Sequence, residues 1–141
     1  MPKQLPNILD LVCARGLPRI MIGAGDKLFL KGEAGSAMYV VASGAIEVLM
    51  LGRVLERVGP GGIVGEMALI DGNARCAAAL TETDTEVIAV DRAQFLELAC
   101  EEPGFALAVL GVLARRLRVI TEAHAHAAPP ARDATRTDTR D

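Results

Sequence analysis

With 141 residues the chain is long enough for one domain and one core. It is 51% apolar but holds only three Phe and one Tyr, so Val, Leu, Ile, Ala and Met must fill that core. A formal net charge of −3 argues against non-specific nucleic-acid binding, which needs a strong basic excess. No apolar run approaches the roughly 20 residues of a membrane span, and Met1 to Asp10 has no basic segment leading into an apolar stretch, so no secretory signal is expected. Cys13, Cys76 and Cys100 are odd in number and far apart, which speaks against a disulfide framework or a zinc site. The expectation is a cytoplasmic protein with three reduced thiols, no metal and no cofactor.

In chain order, a short helix is predicted near Asn7–Ala14. From Pro18 to Asp91 short apolar or alternating runs are separated by turn residues. The predicted strands are Lys27–Leu30, Ala37–Ala42, Ala45–Leu51, Val54–Val58, Cys76–Thr81 and Glu86–Val90. Gly25-Asp26, Ser43-Gly44, Gly59-Pro60-Gly61-Gly62 and Asp71-Gly72-Asn73 are among the breaks. This spacing predicts an antiparallel jelly-roll barrel over about residues 18–91. Asp91 can N-cap a helix over roughly Arg92–Cys100, Pro103-Gly104 interrupts it, and a second helix runs to about Ala125. On that helix Ala106, Leu110, Leu113, Leu117 and Ile120 repeat at spacings of 4, 3, 4 and 3, with Val109, Val112 and Val119 beside them. One stripe could cover the barrel and the other a second subunit in a homodimer, or both could form one wide core face. Residues 1–126 thus make up the domain, and 127–141, polar and broken by Pro129-Pro130, are expected to be a disordered tail.

The segment from Gly61 to Ala79 carries the chemistry. Gly65 lets backbone approach a ligand, and Glu66-Met67-Ala68-Leu69 can make one helical turn whose first amides favour an anion. Asp71-Gly72-Asn73 can turn the chain back and return Arg75 to the same place. A guanidinium inside a barrel is costly unless something meets its charge, and Arg75 with open amides would suit one or two phosphate oxygens. Glu66 would repel a bare phosphate but could accept from a sugar hydroxyl. Together they suggest a sugar phosphate of low charge. The alternative is that Glu66 and Arg75 pair with each other across the loop.

Gly65-Glu66-Met67-Ala68-Leu69 followed by Arg75-Cys76-Ala77 resembles the phosphate-binding cassette of the cyclic-nucleotide-binding domain family, which includes kinase regulatory subunits and the catabolite-activator class of bacterial regulators. Phe29-Leu30-Lys31-Gly32-Glu33-Ala34-Gly35-Ser36-Ala37-Met38-Tyr39 and Ser43-Gly44 look like that family's first hairpins. The stretch from Glu102-Pro103 to Leu117 is similar to the C-terminal helices of its bacterial members, which suggests a stand-alone bacterial member. The resemblance implies a sensor in which Glu66 holds the ribose 2′-OH and Arg75 the cyclic phosphate. Backbone amides of Met67, Ala68, Cys76 and Ala77 would complete the phosphate shell. Val64 stands where the family has an aromatic. Cys76 stands where a Thr hydroxyl favours guanine, and a thiol is a poor donor, so the ligand leans to cAMP rather than cGMP.

The base would need a cover, for which Arg115, Arg116 and Leu117 on the last helix are candidates; the two arginines could equally form a solvated face. An enzyme is not expected, because the two histidines, His124 and His126, lie beyond the barrel and supply no catalytic or metal-ligand cluster. About fifteen polar residues after the last helix are too few for a helix-turn-helix, so DNA binding by this chain alone is not expected. The remaining alternative is a ligand-free interaction module of the same fold, acting as a homodimer or on an effector protein.

Overall fold

The computed structural model describes residues 7–127. They divide into two compact units at the Ala108/Val109 junction, inside the last helix. The first unit begins with α1 (Ile8–Ala14), whose N-terminus is capped by Asn7 Oδ1 accepting from the Leu9 amide at 2.9 Å. The strands follow: β1 (Arg19–Ile22), β2 (Lys27–Phe29), β3 (Ala37–Ser43), β4 (Ile46–Met50), β5 (Arg53–Val58) and β6 (Ile63–Val64). After α2 (Glu66–Asp71) come β7 (Ala78–Thr81), β8 (Thr85–Asp91), α3 (Arg92–Glu101) and α4 (Pro103–Ala127).

The strands form two four-stranded antiparallel sheets, ordered β1-β8-β3-β6 and β2-β7-β4-β5. This is the predicted jelly roll with flanking helices, but its two sheets stay separate ladders and do not close into one hydrogen-bonded barrel. The core between them is a single cluster drawn from both sheets, Phe29, Val41, Ile46, Val58, Val64, Ala79 and Val87. Side chains alternate along a strand, so Met38 and Val40 of β3 and Ile88 and Val90 of β8 point the other way, and they too are fully buried. α1 and α2 lie against β3, and α3 against β8. Burial on both faces explains why β3 and β8 read as near-continuous apolar runs. Each such side chain contributes about 1.5–3 kcal/mol when removed from water.

Sequence and structure differ at three strands. β1 was not predicted: Arg19, Ile20 and Met21 are exposed, so its residues carry no inside–outside alternation. β6 has two residues, too few for any period. β7 begins at Ala78 rather than Cys76, because Arg75 is held by another loop: its amide donates to Glu33 O at 2.9 Å and its carbonyl accepts from Gly32 N at 2.8 Å. The start of α3 is as expected, with Asp91 and Gln94 forming a reciprocal capping box. Phe95 of α3 meets Phe105 edge to face, with centroids 5.1 Å apart.

The second unit begins at Val109 and contains the rest of α4. There Leu110, Leu117 and Val119 are exposed. The helix runs through Ala127, two residues past the predicted end. Residues 128–141, where the tail is expected, lie outside the described residues, as do the side chains of Ile120, His124 and His126. No helix among the described residues is long and apolar enough to cross a membrane.

Candidate functional site

The chain between β6 and β7 builds the site. Gly65 enters α2 with φ of +80°, a left-handed conformation suited to glycine, and offers no side-chain cap to the amides that follow. The first amides of α2 thus have no side-chain cap. Gly72 closes it in the left-handed conformation, its amide donating to Ala68 O at 2.9 Å. Asp71 Oδ1 accepts from the Asn73 amide at 2.9 Å, a local turn that reverses the chain. The reversal brings Arg75 back to the start of α2.

Arg75 is 5% exposed and Glu66 4%. The Arg75 side chain donates from Nη1 to Gly65 O at 3.0 Å and from Nη2 to Ala37 O at 2.8 Å. Both terminal nitrogens thus donate to main-chain carbonyls. The guanidinium carbon sits 4.2 Å from the Phe29 ring centroid and 5.9 Å from that of Tyr39. The Arg75 Nε is buried and has no hydrogen-bond partner among the described residues. Carbonyl dipoles and ring faces solvate a cation but do not neutralise it, and a buried charge in this state calls for an anion. With the two main-chain bonds to Gly32 and Glu33, four hydrogen bonds hold this one residue in place.

Four residues of this socket escaped sequence reasoning. Phe29 and Tyr39 supply the rings and Ala37 a carbonyl, while Gly35 leaves room: a Cβ there would collide with the Arg75 guanidinium. At Gly65 an added Cβ would come within 2.6 Å of Arg75 Nη1. The apolar runs through Phe29 and through Ala37 and Tyr39 and the glycine at 35 were visible, but none of them announces a partner 36 to 46 positions along the chain. A cleft of about 340 Å³ opens beside the socket, lined by Gly32 and Ala34–Ser36 on one side and Gly72–Ala74 on the other. Gly35 belongs to both; Glu66 and Arg75 do not line the cleft. Its volume is at the low end for small-molecule sites.

The other predicted residues fall as follows. Met67 is half exposed, Ala68 and Ala77 are buried, and Cys76 is exposed in the bend before β7. Arg115 and Leu117 are exposed and Arg116 half-buried, all three on α4 in the second unit. Among the described residues no three His, Cys, Asp or Glu side chains cluster in a way that could hold a metal.

The model of the cyclic nucleotide-binding domain family matches residues 19–101, more than half of the chain. The chain is 40% identical over 118 residues to the cyclic AMP receptor protein of Thermus thermophilus, covering 80% of this chain and 54% of the relative. The crystal structure of the Thermus thermophilus catabolite activator protein superposes with a TM-score of 0.73 at 36% identity, over 84% of this chain and 57% of that one. A solved chain from a cyclic-GMP-dependent signalling pathway that regulates bacterial phytopathogenesis gives a TM-score of 0.70 at 27% identity, over 86% and 98%. The chain thus spans about half the length of the curated relative and nearly all of that last structure. The family model over residues 19–101 and the 40% identity to the Thermus relative identify the chain as a member of the cyclic nucleotide-binding domain family.

Proposed function

We propose that this chain is a non-enzymatic regulatory sensor that binds a 3′,5′-cyclic nucleotide, cAMP in preference to cGMP. The observation that carries this reading is the buried Arg75 guanidinium, held by the carbonyls of Gly65 and Ala37 with its Nε lacking a hydrogen-bond partner among the described residues. A cyclic phosphodiester brings the one negative charge that such a group needs. The amides of Met67, Ala68, Cys76 and Ala77 would complete the phosphate shell, and Glu66 would accept from the ribose 2′-OH. The exposed thiol of Cys76 offers guanine a poor donor, and the Thermus relative is by name a cyclic AMP receptor, which supports cAMP. The solved chain from a cyclic-GMP-dependent pathway makes cGMP the competing ligand to test.

In this reading α4 covers the base, through Arg115, Arg116 or Leu117, and nucleotide binding shifts a two-state equilibrium of the helices. The exposed Leu110 and Leu117, seven residues apart on one face of α4, supply an apolar stripe that suits a homodimer. The signal then passes to a partner protein or through the dimer. No DNA binding is proposed for this chain by itself.

A thermal-shift titration of the full chain with cAMP and with cGMP tests the function. A ligand at a hundredfold excess over its Kd stabilises a protein by about 2.7 kcal/mol, which raises the melting temperature by several degrees. A larger shift with cAMP is expected. No shift with either nucleotide would overturn the reading and leave a ligand-free interaction module.

A further inference from the structure

Arg92 opens α3, yet its side chain serves a different helix. Its Nη1 donates to Leu69 O at 2.9 Å and approaches Ile70 O at 3.4 Å. These are carbonyls of the last turn of α2, which have no partner within their own helix. Ala68 O already accepts from Gly72 N, so glycine and arginine between them occupy three successive carbonyls at this end. A cation at a helix C-terminus is also favoured by the helix dipole. One residue earlier, Asp91 caps the N-terminus of α3 itself. Asp91, the last residue of β8, and Arg92, the first of α3, therefore fasten the start of α3 and the finish of α2 at one point of the chain.

We infer that Arg92 is a positioning residue for the cassette: it clamps the C-terminal turn of α2 to the start of α3, so neither helix can shift without the other. α2 has only six residues and is too short to be stable by itself. Its position must come from such external ties, and Arg92 supplies a charged one from an element outside the binding loop. Through this tie a ligand that draws on α2 acts on α3. The ligand-linked part of the inference rests on the proposed function, whereas the clamp can be tested without ligand.

The test compares the parent chain, Arg92→Ala and Arg92→Lys by amide hydrogen exchange in nucleotide-free protein, then by calorimetry with cAMP. In Arg92→Ala the amides of Ile70, Asp71 and Gly72 should exchange roughly tenfold faster, the usual effect of losing one charged hydrogen bond. Amides of β3 and β8 should stay within about twofold of the parent. Arg92→Lys keeps a cation in reach of Leu69 O and should restore most of the protection. Affinity for cAMP should fall about three- to tenfold in the alanine variant and recover in the lysine one. Unchanged exchange in α2, equal loss of protection in α2 and the sheets, or an unaltered affinity would overturn the inference. A parent that gives no heat with cAMP or cGMP would sink the proposed function, and the exchange contrast would still decide the clamp.

Discussion

Replacing Arg75 by alanine tests the site most directly, because two opposed effects can be separated. In the free protein the side chain satisfies Gly65 O and Ala37 O and lies over Phe29. Removing it leaves two carbonyls to water or to nothing, at about 1–3 kcal/mol for a buried unsatisfied group. It also abolishes the cost of burying a cation, which offsets part of that loss. The folded state should therefore weaken by only about 1–2 kcal/mol, within the usual range for single substitutions. Binding should suffer more. Stripping one partner from a desolvated charged hydrogen bond costs about 2–5 kcal/mol of affinity. At about 1.4 kcal/mol per tenfold this is a loss of roughly thirtyfold to several thousandfold. Denaturant unfolding gives the first quantity and calorimetry with cAMP the second, both on the full chain. Arg75→Lys keeps the charge without the fork and should fall between parent and alanine. A folded Arg75→Ala variant that binds cAMP within about threefold of the parent would refute the assignment, since a change that small leaves less than 1 kcal/mol for the contact.

Other outcomes follow from the same geometry. Gly35→Ala places a methyl group against the Arg75 guanidinium and should weaken cAMP binding about tenfold or more while the sheets stay folded, as overpacking by a single methyl costs about 1–3 kcal/mol; calorimetry and circular dichroism read the two. Cys76→Thr adds a hydroxyl donor at an exposed position of the binding loop. It should raise the affinity for cGMP relative to cAMP, and a competition titration in which the ratio stays put would remove Cys76 from the specificity argument. Asp91→Ala removes the N-cap that accepts from the Gln94 amide at 2.8 Å and should cost about 1 kcal/mol of stability in urea unfolding.

The jelly roll was legible because its two central strands advertise themselves. β3 and β8 are buried on both faces; β3 stands between Gly35 and Gly44, and β8 between the polar Glu82-Thr83-Asp84 and Asp91, so their apolar runs have clear ends. The α3 start was equally plain, since Asp91 is a residue type that caps helices, and Gln94 completes the box in the structure. β1 and β6 lacked such a signal, one for want of alternation and the other for want of length. Within the site, Gly65, Glu66 and Arg75 stood out as residue types whose chemistry is unusual inside an apolar segment. What surrounds Arg75 did not, because Phe29, Gly35, Ala37 and Tyr39 are ordinary residues for strands and turns.

The amino-acid order by itself thus determined the fold class, the turns, the Asp91 cap and the ten-residue interval that returns Arg75 to Gly65. These are local properties, written in the period of apolar side chains and in the backbone freedom of glycine. The tertiary structure alone decided that the arginine rests on two carbonyls and an aromatic face, and that Arg92 closes the far end of α2. Those contacts join strands, loops and helices far apart along the chain. Main-chain carbonyls are the same at every position, so only folding reveals which of them a buried cation will find.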